Sequence, residues 1–367
     1  MNPVASRTYT GKNMPTCNGV KILVVAGASG GHIFPALAFL EKALENPDCR
    51  ALLILPKNCR VKNIRPEGFK IEYVDLPGKN LLDSLKGILS CFGLVIKFHP
   101  DAVIGFGTIV SFPIVILGWF LRAKTIIHEQ NVLPGKANQV LAYFTDKIAV
   151  SFSRSKAYFK NNTSKVILTG NPLRKGLARV DKNKALVTLG LASDKFTLLV
   201  SGGSQGSHKI NREFLKCVGL LKNRTDLQVI HLCGERDLGF LQKGYADLSV
   251  SAAVYSFYEQ MQVVYSACDM IIGRAGATSI AEIAYFQIPS ILVPYPYAAA
   301  HQSANANLLL EAGCAQVIKD EDLTADLLKQ KLENYFFKRD FLDQARLGFS
   351  QFKQADAAGL LVKELLD

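Results

Sequence analysis

The chain has one tryptophan and four methionines, and its eight cysteines (17, 49, 59, 91, 217, 233, 268 and 314) form no Cys-x-x-Cys pair. No His/Cys group stands at zinc spacing either, so neither a metal ribbon nor a disulfide framework is expected. Several of the cysteines lie inside apolar runs, where a reduced thiol is a small core residue, and a reducing cytoplasm follows. A P-loop is missing too: neither glycine-rich turn leads into Lys-Ser/Thr at the required spacing, which argues against ATP hydrolysis. Nor is there a Gly-x-Gly-x-x-Gly with an acid ending the second strand. That strand ends Leu55-Pro56-Lys57, which argues against NAD. Low-complexity segments are absent. The first nineteen residues are polar and the apolar run behind them is only strand-length, so a cleaved signal peptide is not expected.

At 367 residues, with 49% hydrophobic and 20% charged residues, the chain reads as globular and large enough for two domains. A net charge of +12 calls for an anionic partner: nucleic acid, an anionic membrane surface or a phosphorylated substrate. The basic residues are scattered, without a dense block or an aromatic RNA-binding signature, so nucleic acid is not expected. One uncharged run, Ala102 to Leu121, is long enough to span a bilayer. Gly105, Gly107 and Pro113 punctuate it, however. A strand, a glycine loop and a helix opening near Pro113 account for it better than a transmembrane helix does.

Strand and helix patterns alternate throughout. Strands are expected at 21–26, 51–55, 71–75, 102–105, 124–128, 147–151 and 166–169, then at 196–201, 228–232, 251–255, 269–273, 290–294 and 315–318. Such alternation means parallel sheets covered on both faces. A glycine-rich turn directly after an apolar strand occurs twice, as Gly27-Ala28-Ser29-Gly30-Gly31-His32 and as Gly202-Gly203-Ser204-Gln205-Gly206-Ser207-His208. Small residues there let backbone N–H groups approach an anion as a helix begins. Two such units imply an α/β chain with two Rossmann-like domains, their parallel sheets facing across a cleft. The expected boundaries are a polar extension at 1–19, a first domain at 20–168, a linker at 169–175, a second domain at 176–350 and a terminal helix within 351–367.

Several segments carry chemistry. His32 stands at the entrance to a helix expected near Pro35, where it can take a proton from a sugar hydroxyl; a histidine bonded to backbone at the helix start is the plain alternative. His128-Glu129-Gln130-Asn131 follows a buried strand, and four polar side chains at a strand's carboxyl end are costly to bury unless used. In the second half Gly273-Arg274-Ala275-Gly276 leads into a helix at Ala277, whose free N–H groups around Ala277 to Ser279 suit a pyrophosphate. Glu282 lies one or two turns in, where a carboxylate can accept both ribose hydroxyls or merely stabilise the helix. Gln302 and Asn305 can read sugar hydroxyls.

Taken together, His128-Glu129-Gln130-Asn131, Gly170-Asn171-Pro172-Leu173-Arg174 and Gly202-Gly203-Ser204-Gln205-Gly206 closely resemble the MurG family, with similar segments from about residue 20 to 320. That resemblance implies a GT-B fold and inverting transfer of GlcNAc from UDP-GlcNAc to the 4-hydroxyl of MurNAc in polyprenyl-pyrophosphoryl-MurNAc-peptide. It implies donor contacts at Ser29, Gly30, Gly31, Asn131, Arg174, Ser204, Gln205, Gly206, Tyr258, Arg274, Gln302 and the run Ala277, Thr278, Ser279, Ile280, Ala281, Glu282. His32 is the base it favours, with Glu129 and His128 as rivals, and neither metal nor cofactor is implied. One departure is Ile109, where the family usually carries Tyr in a loop facing the acceptor.

The acceptor's tail stays in lipid, so a peripheral place on the cytoplasmic face of the bacterial inner membrane is expected. Leu81, Leu82, Leu85, Ile88, Leu89, Phe92, Leu94, Val95, Ile96 and Phe98 form a largely apolar face near Lys79, Lys86 and Lys97, with Trp119, Phe120 and Arg122 beside them. A core helix against the sheet is the other explanation for that face. Two rival functions remain at this point. One is another GT-B sugar-nucleotide enzyme, a glycolipid glycosyltransferase or an epimerase; the other is a non-catalytic sugar-nucleotide-binding protein.

Overall fold

The computed structural model describes residues 19–367 except 60, 62, 63, 65, 66, 76–80, 222–225, 299, 338 and 353–355. Residues 1–18 of the expected polar extension, with Cys17, and also Lys79, therefore lie outside the described residues, as do the side chains of Leu81, Leu82 and Leu85.

Two all-parallel sheets organise the chain. The first contains β1 (Lys21–Ala26), β2 (Arg50–Pro56), β3 (Phe69–Val74), β4 (Ala102–Phe106), β5 (Lys124–Glu129), β6 (Lys147–Val150) and β7 (Val166–Leu168), in the order β3-β2-β1-β4-β5-β6-β7. The second contains β8 (Phe196–Ser201), β9 (Leu227–Leu232), β10 (Ala252–Tyr255), β11 (Met270–Gly273), β12 (Ser290–Leu292) and β13 (Ala315–Val317), in the order β10-β9-β8-β11-β12-β13. Strand order reverses between β1 and β4 and again between β8 and β11. Those reversals open crevices at the carboxyl ends of the strands, where open α/β sheets bind ligands. This is the GT-B architecture, and all thirteen expected strands take part in it.

The strands read as continuous apolar runs because both faces are covered. In β1, Ile22, Val24 and Ala26 enter one core layer while Leu23 and Val25 enter the layer on the opposite face. In β8, Leu198 and Val200 separate from Leu199 in the same way. The last helix, Ala357–Leu366, is started by the Asp356 carboxylate accepting from Gly359 N–H at 2.9 Å. It buries Leu361 and Leu365 in the layer that holds Ile22 and Val24, so the chain ends on its first domain. Each leucine contributes about 2 kcal/mol of burial there.

One helix starts earlier than its sequence suggests. It spans Gly30–Ala43, so Pro35 lies inside it rather than at its start. Proline has no N–H to donate to the carbonyl four residues back, which here is Gly31. That carbonyl instead accepts from the Thr278 hydroxyl of the second domain at 3.3 Å. The uncharged run resolves into β4, a turn and the helix Ser111–Phe120, with Pro113 in its first turn. Among the described residues no helix is long and apolar enough to cross a membrane.

The turn after β4 is strained. Thr108 has φ 74°, a left-handed conformation that a β-branched residue rarely adopts, and its hydroxyl is buried with no hydrogen-bond partner among the described residues. Replacement by glycine removes both penalties. Thr108→Gly should raise the unfolding midpoint, by about 1 kcal/mol equivalent. A fall in urea or thermal melts would mean that packing of the Thr108 methyl over Gly27 outweighs the strain.

Candidate active site

The loops after β1, β4, β5, β8 and β11 converge on the cleft. After β1, Ser29 is the N-cap of the helix Gly30–Ala43 and offers it no side-chain bond, so the first N–H groups at Gly30 and Gly31 stay available. After β11, Gly276 plays the same part for the helix Ala277–Phe286, again without a side-chain cap. The Thr278–Gly31 bond brings these two helix starts together across the domains. Within Ala277–Glu282, Ile280 is fully buried in the core, so only its main chain can serve a ligand. Ser279 and Ala281 are half-buried.

His32 sits in the first turn of its helix, half-buried, with Nδ1 3.1 Å from Gln130 Oε1. Burial pushes its pKa below the ordinary 6.5, against the opposing pull of Glu129, the Gln130 amide and the Phe106 carbonyl. At neutral pH the ring is uncharged. The rivals are placed differently. His128 is fully buried, donates from Nε2 to the Gly170 carbonyl at 2.9 Å and accepts at Nδ1 from Gln130 Nε2 at 3.1 Å. Burial depresses its pKa to about 4. The Glu129 carboxylate is buried and accepts from Asn131 N–H at 2.9 Å, Asn131 Nδ2 at 3.2 Å, Gly135 N–H at 3.0 Å and Asn138 Nδ2 at 2.8 Å. Four donors leave it no room for a substrate proton; it shapes the loop.

Arg174, in the linker, lies with its guanidinium 4.5 Å from the centre of the Phe34 ring and reaches Glu282 Oε1 from NH2 at 3.3 Å. Its Nε is buried and without a partner among the described residues. Glu282 accepts a second bond at Oε2 from the Tyr265 hydroxyl, 2.8 Å away. Burial raises the Glu282 pKa while Arg174 and Tyr265 hold it down. After β8, Ser204 and Gln205 are exposed, and Gly206 has φ 72°. A Cβ at Gly206 would collide with the Cys233 carbonyl, so only glycine fits there. Tyr258 follows β10, its ring 4.8 Å from that of Tyr255, beside exposed Phe257. Gln302 Oε1 accepts from Ala275 N–H at 3.2 Å and Tyr295 N–H at 2.9 Å, which leaves its amide nitrogen for a ligand.

Two side chains expected to meet substrate are engaged elsewhere. Arg274 bonds Asp320 Oδ1 at 2.5 Å, Ser207 Oγ at 2.8 Å and the carbonyls of Val293 and Pro294, and stacks on Tyr295. It ties three loops together through NH1 and NH2. Asn305 is fully buried: Oδ1 accepts from Val132 N–H at 2.9 Å, and Nδ2 donates to Asn131 Oδ1 and the Ala275 carbonyl, each at 3.1 Å. It is an interdomain clamp, and it draws Asn131 to the seam. His301 adds a bond from Nδ1 to the Leu133 carbonyl at 2.8 Å. Among the described residues no group of three or more His, Cys, Asp or Glu is arranged to hold a metal ion.

Comparison with known proteins gives the family and supports the fold. Residues 22–150 match the Glycosyltransferase family 28 N-terminal domain, and residues 197–361 match the Glycosyltransferase family 28 C-terminal domain. A UDP-N-acetylglucosamine–N-acetylmuramyl-(pentapeptide) pyrophosphoryl-undecaprenol N-acetylglucosamine transferase of Thermoanaerobacter sp. (strain X514) is 36% identical over 364 residues, covering 94% of this chain and 98% of the relative. The Bacillus licheniformis enzyme of the same name is 36% identical over 363 residues, with the same shares covered. Among solved structures, Acinetobacter baumannii MurG superposes with a TM-score of 0.75 at 26% identity, covering 94% of this chain and 99% of that one.

The Glu129 geometry makes a prediction. Glu129→Gln sets an amide NH2 against N–H donors that now meet a carboxylate oxygen, and should lower stability by about 1–3 kcal/mol. Thermal unfolding measures it; an unchanged midpoint would show that the four bonds do not hold the loop.

Proposed function

We infer the workings of the cleft from one premise: this chain belongs to the MurG family, within glycosyltransferase family 28. It is an N-acetylglucosamine transferase of peptidoglycan synthesis, carrying GlcNAc from UDP-GlcNAc to undecaprenyl-pyrophosphoryl-MurNAc-pentapeptide. In the course proposed here the 4-hydroxyl of MurNAc attacks the anomeric carbon, the bond to UDP breaks, and the configuration inverts.

His32 takes the proton. The observation that carries this reading is the exhaustion of its rivals: Glu129 has both oxygens filled, and His128 has both nitrogens filled. Of the three, His32 is the one that is partly exposed, and it lies in the first turn of a helix beside the cleft with burial favouring its neutral ring. The leaving diphosphate lies against the starts of the helices Gly30–Ala43 and Ala277–Phe286, with Arg174 and Ser204. Negative charge develops there, and pre-set N–H donors stabilise it as it forms. The unpartnered Nε of Arg174 supports this. Glu282 takes the ribose hydroxyls, the backbone near Phe257 and Tyr258 takes uracil, and Gln302 with Asn131 faces the sugar.

The first domain meets the membrane in this reading, on the cytoplasmic face and without spanning it. Leu89 and Ile96 of the helix Leu81–Phe98 are 58% and 61% exposed, and Phe120 in the neighbouring helix is 64% exposed. Such apolar side chains need cover, while exposed Lys86, Lys97 and Arg122 suit anionic headgroups.

Transfer of labelled GlcNAc from UDP-GlcNAc to a lipid I analogue, with EDTA present, tests the chemistry. His32→Ala should lose about 10²–10⁴-fold in kcat. Full activity in that variant would remove His32 from the role. A protonated His32 cannot accept a proton and its pKa is shifted below 6.5, so kcat/KM should stay level through neutral pH. It should fall, with unit slope, only on the acid side of 6.5. An acid limb centred above 6.5 contradicts the assignment. For the membrane, Ile96→Asp with Phe120→Asp should weaken binding to phosphatidylglycerol vesicles about tenfold or more, leaving UDP affinity unchanged, and wild-type binding should weaken with salt. Vesicle binding indifferent to both changes would move the lipid contact elsewhere.

A further inference from the structure

Three side chains and two main-chain carbonyls form one chain of hydrogen bonds under the cleft. Gln130 is 1% exposed and lies between His32 and His128. Its Nε2 is 3.2 Å from the main-chain carbonyl of His128, and a carbonyl only accepts, so that end of the amide must be the NH2. The same Nε2 reaches His128 Nδ1 at 3.1 Å, while His128 Nε2 lies 2.9 Å from the Gly170 carbonyl. Again the carbonyl only accepts, so the His128 proton resides on Nε2 and its Nδ1 is the acceptor. The two carbonyls therefore fix every proton between them. The other end of the amide, Oε1, is an acceptor facing His32 Nδ1 at 3.1 Å, which makes Nδ1 the donor.

We propose that Gln130 is a positioning residue that holds His32 as its Nδ1–H tautomer, so that Nε2 carries the lone pair that takes the acceptor proton. Free neutral histidine favours the opposite tautomer, with the proton on Nε2 and no base there. The relay reverses that preference with neutral groups. It is also unchanged when His32 becomes an imidazolium, because Nδ1 is a donor in both states; the proton arrives at Nε2 with no rearrangement behind it. The main-chain carbonyl of Phe106 also faces the His32 ring, while Gln130 is the side chain bonded to it, at Nδ1. The proposal rests on the reading of His32 as the base, and goes beyond it by assigning what sets the reacting nitrogen.

The test uses the full chain labelled with ¹⁵N-histidine, at a pH where His32 is neutral. Long-range ¹H–¹⁵N spectra report each ring's tautomer, and His32→Gln and His128→Gln identify the two spin systems by their loss. The expected result is Nδ1–H for His32 and Nε2–H for His128. Finding Nε2–H on His32 overturns the proposal. Gln130→Leu should release His32 to the Nε2–H form and lower kcat about 10²-fold, with the KM for UDP-GlcNAc within twofold of wild type.

Gln130→Glu keeps the shape and an acceptor for His32 Nδ1, so it guards against a Leu variant that fails to fold. It should retain the Nδ1–H tautomer and move the acid limb of kcat/KM to higher pH, because a carboxylate now favours the His32 imidazolium. The other groups facing His32, namely Glu129, His301 and His128, are the same in both proteins. An unmoved limb in a folded Gln130→Glu variant also overturns the proposal. If His32 has the expected tautomer and loses it in Gln130→Leu while both Gln130→Leu and His32→Gln keep full activity, the tautomer assignment stands and the base reading falls.

Discussion

Two helix starts lie against one another across the cleft, and much else in the molecule follows from that contact. The first turns at Gly30 and Ala277 are each uncapped by side chains, so each presents free N–H groups and the positive end of a helix dipole. Like partial charges brought together repel, and the arrangement is tolerable when an anion lies nearby or when direct bonds hold it. Pro35 supplies such a bond indirectly: by failing to donate to the Gly31 carbonyl it frees that oxygen for Thr278. In the proposed reading the donor's diphosphate is that anion, so the feature that makes the domains meet also suits a phosphate.

The second constraint is polar pairing at the carboxyl end of β5. His128, Glu129 and Gln130 are all nearly fully buried, and buried polar groups destabilise unless bonded. The structure satisfies them with main-chain groups of the Asn131–Gly135 loop, with Asn138 and with Gly170 of the linker. Asn305 then couples this loop to the second domain through Asn131, Val132 and Ala275. The loop is thus both the floor under His32 and part of the seam between domains, so His32 and the interdomain bonds share one support.

The fold was legible because β1, β4, β5, β8 and β11 are apolar runs, and only strands covered on both faces sustain them. The first helix was misplaced because Pro35 is an ordinary first-turn signal, and nothing local reveals that its missing bond is replaced by a hydroxyl 247 residues away. The bonds that engage Arg274 and Asn305 were hidden for the same reason. Asp320 and Asn131 sit 46 and 174 positions from them, and no spacing rule connects such partners. Motif reading therefore picks out the loops at the carboxyl ends of the strands but cannot say which of their polar side chains are consumed by the protein. Gln130 was visible only as one of four polar residues, since its meaning depends on a bond between His128 and the linker 42 residues on.

How the labour is divided between domains follows from where the exposed apolar residues lie. Leu89, Ile96 and Phe120 belong to the first domain, as does His32, whereas Glu282, Gln302 and the Ala277 helix belong to the second. In the proposed reading the acceptor's lipid tail is confined to the bilayer plane, which asks that the base be held at a fixed height above it. His32 and the exposed apolar side chains share one domain, and β1, β4 and the helices on them make both parts of one packed body. The nucleotide moves freely in water, so its half is under no such constraint. Across the seam run hydrogen bonds from Thr278, Asn305 and His301 and the Arg154–Glu311 and Arg174–Glu282 pairs, and Val132 and Phe152 of the first domain are buried in an apolar layer of the second. Polar contacts release and re-form more readily than apolar ones, so in the proposed reading the hydrogen bonds are the part of the seam that exchange of UDP-GlcNAc for UDP would break first, while the Val132 and Phe152 contact holds the halves together.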